Sequence, residues 1–118
     1  MAGLWAMPGG WADVNEPPSR MVEREVREES GYDVRARRLI GVYESNHDCY
    51  PLTFWHNYQL LLLCDLVGGS PESSDETYGV AFFDPDSLPE ISPFRTCHRE
   101  FAEAIAHYCE SHRPAYFD

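Results

Sequence analysis

Apolar residues come in short runs along this chain, several of them closed by glycine or proline. Leu4-Trp5-Ala6-Met7 is stopped by Pro8-Gly9-Gly10, which predicts a strand ending in a tight turn. Consecutive glycines let the backbone approach a ligand closely, although a plain loop would use them too. Trp11 to Pro17 reads as a loop. Pro18 and Ser19 then open a helix, because proline is tolerated in a first turn. That helix runs through Glu29 and stops at Gly31. Val22 and Val26 form its inward stripe, while Arg20, Glu23 and Arg27 fall on the solvent side.

Val34 to Glu44 predicts a strand whose apolar part is Leu39 to Tyr43, followed by a polar loop from Ser45 to Pro51. A second strand is expected from His56 to Val67. Its run Leu60-Leu61-Leu62-Leu63-Cys64 is continuous enough to be buried on both faces. Leucines alone would equally suit a helix, but Gly68-Gly69 ends the run as a strand-to-loop turn would. Ser70 to Thr77 is an acidic loop, Tyr78 to Phe83 a short strand, and Asp84-Pro85-Asp86 a turn before the stop at Leu88-Pro89. Arg95 to His112 predicts a final helix packed through Phe101, Ile105 and Tyr108. No repeat or linker interrupts this order, so a single α/β domain over residues 1–118 is expected.

Composition supports one core: 118 residues are too few for two ordinary domains, and 43% hydrophobic residues suit a folded chain. The net charge of −11 argues against a surface for nucleic-acid backbone, which needs clustered Lys and Arg. An anionic small substrate stays open if divalent cations sit between carboxylates and phosphates. Cys49, Cys64, Cys97 and Cys109 show neither Cys-x-x-Cys nor zinc spacing, so reduced thiols and a cytoplasmic setting are expected. The start of the chain shows no signal-peptide pattern. Leu60 to Leu63 falls far short of the roughly 20 apolar residues of a membrane span.

The candidate chemistry lies on the first helix. Glu25, Glu28 and Glu29 stand at i, i+3 and i+4, on one side. At about 6 Å, each pair would repel by about 3 kcal/mol at an effective dielectric near 20, and much less if exposed. Glu28 and Glu29 also approach the negative end of the helix dipole. Arg24 and Arg27 could offset part of this. A hard divalent cation would do so too, since it takes carboxylate and carbonyl oxygens, and Gly9-Gly10 folded back could add a carbonyl. From the triplet alone, a solvated helix rich in Glu and Arg fits as well.

The wider spacing narrows this. Gly10, five residues, Glu16, seven residues, Arg24-Glu25-Val26, one residue, Glu28-Glu29, one residue, Gly31 and Tyr32 resembles the Nudix box at each defining polar and glycine position. Tyr32 stands where the family often has an aliphatic residue. The wording from Trp5 to Val14, with Glu76-Thr77, Phe82-Phe83 and Leu88-Pro89, is similar to bacterial Nudix hydrolases grouped with ADP-ribose or CDP-choline pyrophosphatases.

The resemblance implies an α/β/α sandwich with a mixed sheet. The strands that precede the box in the family are expected to be missing, as in an N-terminally truncated chain. That would leave an apolar edge beside Leu60 to Leu63 open to solvent or to the partner in a homodimer. It implies hydrolysis of a nucleoside diphosphate linked to another group. Mg²⁺ or Mn²⁺ would be held by Glu25, Glu28 and Glu29, with the Gly10 carbonyl as a further ligand. Glu16 and Arg24 resemble the ion pair that orients the box, which Gly31 closes. The general base is either Glu28 or Glu29, or Glu76 in the later loop. Gly79 stands where relatives often carry another acid.

A nucleobase would find stacking and edge contacts among Trp11, Tyr43, His47 and Trp55. Trp5, Phe54, Phe82, Asn46, Asp48 and His56 are further candidates. For any single one of these aromatics except Trp11, core packing is the better reading. Two other readings share the box: a non-catalytic module that senses a nucleotide, and a fragment in which the box merely persists. The sequence does not choose among ADP-ribose, CDP-alcohols, dinucleotides and nucleoside triphosphates.

Overall fold

A computed structural model describes residues 4–44, 57–73, 79–92 and 98–118. In chain order these form α1 (Pro18–Ser30), β1 (Tyr32–Glu44), β2 (Tyr58–Gly69), α2 (His98–Cys109) and β3 (Tyr116–Phe117). The sheet has the order β2-β1-β3. β3 runs parallel to β1, with Gly41 opposite Tyr116 and Val42 opposite Phe117. Gly68 lies against Asp33, and Arg37 reaches Asp65 at 3.6 Å, so β2 returns antiparallel along β1. The sheet is therefore mixed, and the expected α/β class holds.

The chain divides into two compact units. One comprises Pro8–Arg38 and Cys64–Phe83. Here α1 starts where expected: Pro17 is extended at φ −71° and ψ 155°, and Pro18 occupies the first turn. It ends at Gly31, whose φ of 80° is left-handed and whose N–H donates to the Arg27 carbonyl at 3.0 Å. The Ser30 hydroxyl donates to the Val26 carbonyl and accepts the Tyr32 N–H, so helix passes into strand with no intervening loop. Glu23 is not simply solvated as the helical pattern suggested. Its carboxylate accepts the Ala36 N–H of β1 at 2.9 Å, because α1 lies along that strand.

Two strands expected in this unit differ from the sequence reading. Gly79 to Phe83 has no regular structure, and Tyr78 lies outside the described residues. Phe82 sets its ring edge-on to Tyr32 at 5.1 Å, so side-chain packing takes the place of a ladder, and Gly79 weakens any strand. β2 is not buried on both faces: in the run from Leu60 to Cys64, Leu60 is 41% exposed and the other four residues are only half-buried. Among the described residues, β2 is the last strand of its sheet and has β1 on one side.

The other unit comprises Met1–Met7, Leu39–Leu63 and Asp84–Asp118. Its core holds Ile40 and Tyr43. The expected strand at Leu4 to Met7 is reduced to one parallel bridge between Trp5 and Ile91. Pro8 and Pro89 carry no N–H with which to extend it. α2 is described from His98, Arg95 lying outside the described residues, and it stops at Cys109, short of His112. Arg113 precedes Pro114, which disfavours helical backbone there, and Arg113 N–H closes a turn on Glu110 at 3.2 Å.

Tyr108 is 71% exposed, whereas Glu100 and His107 are fully buried. The inward stripe of α2 is thus rotated toward polar residues, a face that a search for apolar periodicity misses. Glu103 beside it takes two bonds from Arg113, at 3.0 and 3.2 Å. That guanidinium holds the Glu103 carboxyl below its usual range.

Candidate active site

The side chain at the centre of the site is Arg24, and α1 aims it back over the loop that precedes the helix. Its Nε and Nη2 donate to the two oxygens of Glu16 at 2.7 and 2.8 Å, a bidentate pairing. Nη2 also donates to the Trp11 carbonyl at 3.1 Å. Nη1 turns the other way and donates to Glu25 Oε1 at 3.0 Å and Glu28 Oε2 at 3.2 Å. One guanidinium therefore ties three carboxylates and a loop carbonyl together.

The glycine turn meets the same helix. Gly9 N–H donates to Glu29 Oε2 at 3.2 Å. A Cβ on Gly10 would stand 2.5 Å from Glu25 Oε1, so only glycine lets the backbone come this close to that carboxylate. Loop and helix thus bring together Gly10, Glu16, Arg24, Glu25, Glu28 and Glu29. Of the three box glutamates, Glu25 is 13% exposed at its side chain and Glu28 59%.

Glu16 also accepts the Asp13 N–H at 3.0 Å. The Arg24 fork, chiefly, and the Asp13 amide pull its carboxyl from its ordinary value of 4.5 down to about 2. A depressed carboxylate contributes stability that is present above its unfolded value and lost as the pH falls through its folded one. The Glu16 contribution is accordingly expected to persist at pH 4.5 and to fade toward pH 2. Carboxyl-detected NMR titration checks this: the Glu16 carboxyl should titrate near 2 and move back toward 4.5 in Arg24→Ala.

Trp11 contributes its carbonyl to this cluster while its indole is 72% exposed, free to stack on a planar ligand. Tyr43 is a correction. Expected as a substrate contact, it is 0% exposed, stacked on Tyr116 at 5.3 Å with the Arg99 guanidinium 4.9 Å over its ring. Neither ring face is left for a base. Burial, reinforced by the nearby Glu103 and Glu100 carboxylates, pushes its hydroxyl up to about 12. Among the further aromatic candidates, Trp5 is tied into its bridge and Phe82 is exposed against Tyr32. His47, Trp55 and Glu76 lie outside the described residues, as do Asn46, Asp48, Phe54 and His56.

The sequence reading passed over Asp13, which stands 3.6 Å from Arg24 Nε. Its signal was present as turn chemistry, an Asp just ahead of the ion-pairing Glu16.

The carboxylates grouped on α1 offer oxygen, which suits a hard divalent cation in chemistry. Among the described residues no three His, Cys, Asp or Glu side chains already converge on one point. Arg24 Nη1 bonds both Glu25 and Glu28, so a positive group of the chain already bridges these two carboxylates.

Comparison with known proteins agrees with the box. The description of the NUDIX domain matches residues 1–105. A Bacillus subtilis strain 168 protein, named provisionally as an ADP-ribose pyrophosphatase, is 38% identical over 78% of this chain and 44% of its own length. The ADP-ribose pyrophosphatase of Methanocaldococcus jannaschii is 32% identical over 76% of this chain and 52% of its own. The chain thus spans about half the length of these relatives. The crystal structure of an ADP-ribose pyrophosphatase from Streptococcus suis superposes with a TM-score of 0.81 at 32% identity, covering 98% of this chain and 83% of that one. With its box assembled as the spacing requires and its match extending over most of its length, the chain belongs to the Nudix family.

Proposed function

We propose that this chain carries the catalytic centre of a Nudix pyrophosphohydrolase that cleaves the diphosphate of a nucleoside diphosphate linked to another group, with ADP-ribose or a CDP-alcohol as the favoured substrate. The observation behind this reading is the joint seating of Glu25, Glu28 and Glu29 against the glycine turn and Arg24. Nudix enzymes generally use divalent metal cations. Glu25, Glu28 and Glu29 would hold Mg²⁺ or Mn²⁺, with the Gly10 carbonyl as a further ligand. Such a cation neutralises charge on the phosphate oxygens and lowers the pKa of bound water.

The remaining work falls to this chain's own side chains. Arg24, locked on Glu16, keeps Glu25 and Glu28 in place. The proton of the attacking water passes to Glu28 or Glu29, or to Glu76. Trp11 offers its exposed indole to a base, and His47 and Trp55 are the further side chains proposed to contact the substrate. The free thiols of Cys64 and Cys109 fit a reducing cytoplasm.

A panel of ADP-ribose, CDP-choline, dinucleotides and nucleoside triphosphates, each with Mg²⁺ or Mn²⁺ and with products identified, tests the reading. Nucleoside monophosphate plus a phosphorylated partner from one of the first two is the expected result. Calorimetric binding of those substrates with no product after long incubation would instead indicate a nucleotide-sensing module.

A further inference from the structure

We infer that Asn15 is a positioning residue for the carboxylate set: its left-handed backbone turns Glu16 into the fork of Arg24 and so sets how readily Glu25 and Glu28 are available to a divalent cation. The inference rests on reading Glu25, Glu28 and Glu29 as metal ligands.

Among the described residues, Asn15 is the non-glycine residue with a positive φ, at 63°. It sits in a turn closed by the Glu16 N–H on the Asp13 carbonyl at 3.1 Å, with Val14 and Asn15 at the two central positions. Val14 keeps a negative φ. A negative then a positive φ is the type II pattern, and glycine or asparagine is what its third position accepts. Asn15 is exposed. It also falls among the five residues between Gly10 and Glu16 that the box spacing leaves unspecified. Backbone conformation, not packing or motif, is what its identity answers to.

The turn has a definite product. It folds Glu16 back so that Oε1 accepts the Asp13 N–H at 3.0 Å and Arg24 Nη2 at 2.8 Å, while Oε2 accepts Nε at 2.7 Å. With that edge of the guanidinium anchored, only Nη1 is left to touch Glu25 and Glu28. If the turn opens, Glu16 loses its seat and Arg24 is released as a mobile cation. It then brings more than Nη1 to bear on the carboxylates a metal would use. Metal affinity falls although every ligand is still present.

The test is Mn²⁺ binding by calorimetry, with the thermal midpoint measured alongside, for the full chain and for Asn15→Gly, Asn15→Ala and Asn15→Val. Asn15→Gly should bind within about twofold of the parent and Asn15→Val about tenfold more weakly, with Asn15→Ala between them. That order follows tolerance of positive φ, not side-chain size or polarity. A merely structural turn would lower the midpoint and leave Mn²⁺ affinity unmoved, which would overturn the inference. Equal weakening by Gly and Val would overturn it as well, by pointing to the lost amide. Should Asn15→Val fail to fold, the comparison of Ala with Gly decides. Glu28→Gln in the same assay separates the two levels. If it leaves Mn²⁺ binding intact, the metal-ligand reading fails and takes the inference with it. If it weakens binding while the Asn15 series stays flat, only the role of Asn15 fails.

Discussion

Glu28→Gln is expected to lower metal-dependent turnover by at least about a hundredfold while the protein remains folded. Gln keeps the length of the side chain and an oxygen that can still accept from Arg24 Nη1, now 3.2 Å away. What it removes is the negative charge, and with it the strongest ligand a glutamate offers a divalent cation. The folding cost is small because the Glu28 side chain is 59% exposed and its ion pair is screened. Such pairs contribute about 0–1 kcal/mol. Turnover with ADP-ribose or CDP-choline at saturating Mn²⁺, read beside the thermal midpoint, separates the two effects. Activity within a fewfold of the parent would remove Glu28 from the metal site. A collapse of the midpoint would make Glu28 structural instead.

The second large effect belongs to stability. Gly31→Ala is expected to cost on the order of 3 kcal/mol, lowering the thermal midpoint by roughly 10 °C or more. Its φ of 80° is already adverse for any residue with a Cβ. The added carbon would also meet backbone: the Ser70 carbonyl oxygen directly, the Glu72 nitrogen at 3.0 Å, and the Glu72 Cβ at 2.7 Å. Those atoms are not free to yield. Ser70 N–H donates to the Gly31 carbonyl at 3.2 Å and Glu72 N–H to the Ser30 carbonyl at 2.7 Å, pinning the exit of β2 to the end of α1. Urea unfolding of the two proteins measures the difference, and a loss below about 0.5 kcal/mol would contradict the packing described.

The first helix was legible because its punctuation is strong. Pro17-Pro18 cannot lie inside a helix and suits the start of one, and Gly31 supplies the left-handed residue that ends it. Carboxylates at fixed helical offsets stay together whatever the tertiary context, so Glu25, Glu28 and Glu29 could be grouped from spacing alone. Arg24 required more. Its partner Glu16 lies across a loop, and only the resemblance to a known box joined them.

Other features were hidden for physical reasons. The inward face of α2 carries Glu100 and His107, which read as solvent residues until burial is seen. Tyr43 could serve a core or a ligand with the same ring, and parallel pairing of β1 with β3, which brings Tyr116 onto it, decided for the core. Tyr78 to Phe83 has strand composition, but composition cannot supply a partner strand.

The bond from Ala36 N–H to Glu23 has a consequence for behaviour at high concentration. Strand amides that point outward are templates on which another molecule can add a strand, the first step of edge-to-edge aggregation. Among the described residues, β3 pairs with β1 at Gly41 and Val42. At Ala36 the donor is already taken by a carboxylate of the same molecule, at 2.9 Å. An incoming strand would have to displace that carboxylate and approach its charge. Glu23 therefore works as a gatekeeper, and the cost of removing it should appear first as lower solubility of the folded protein.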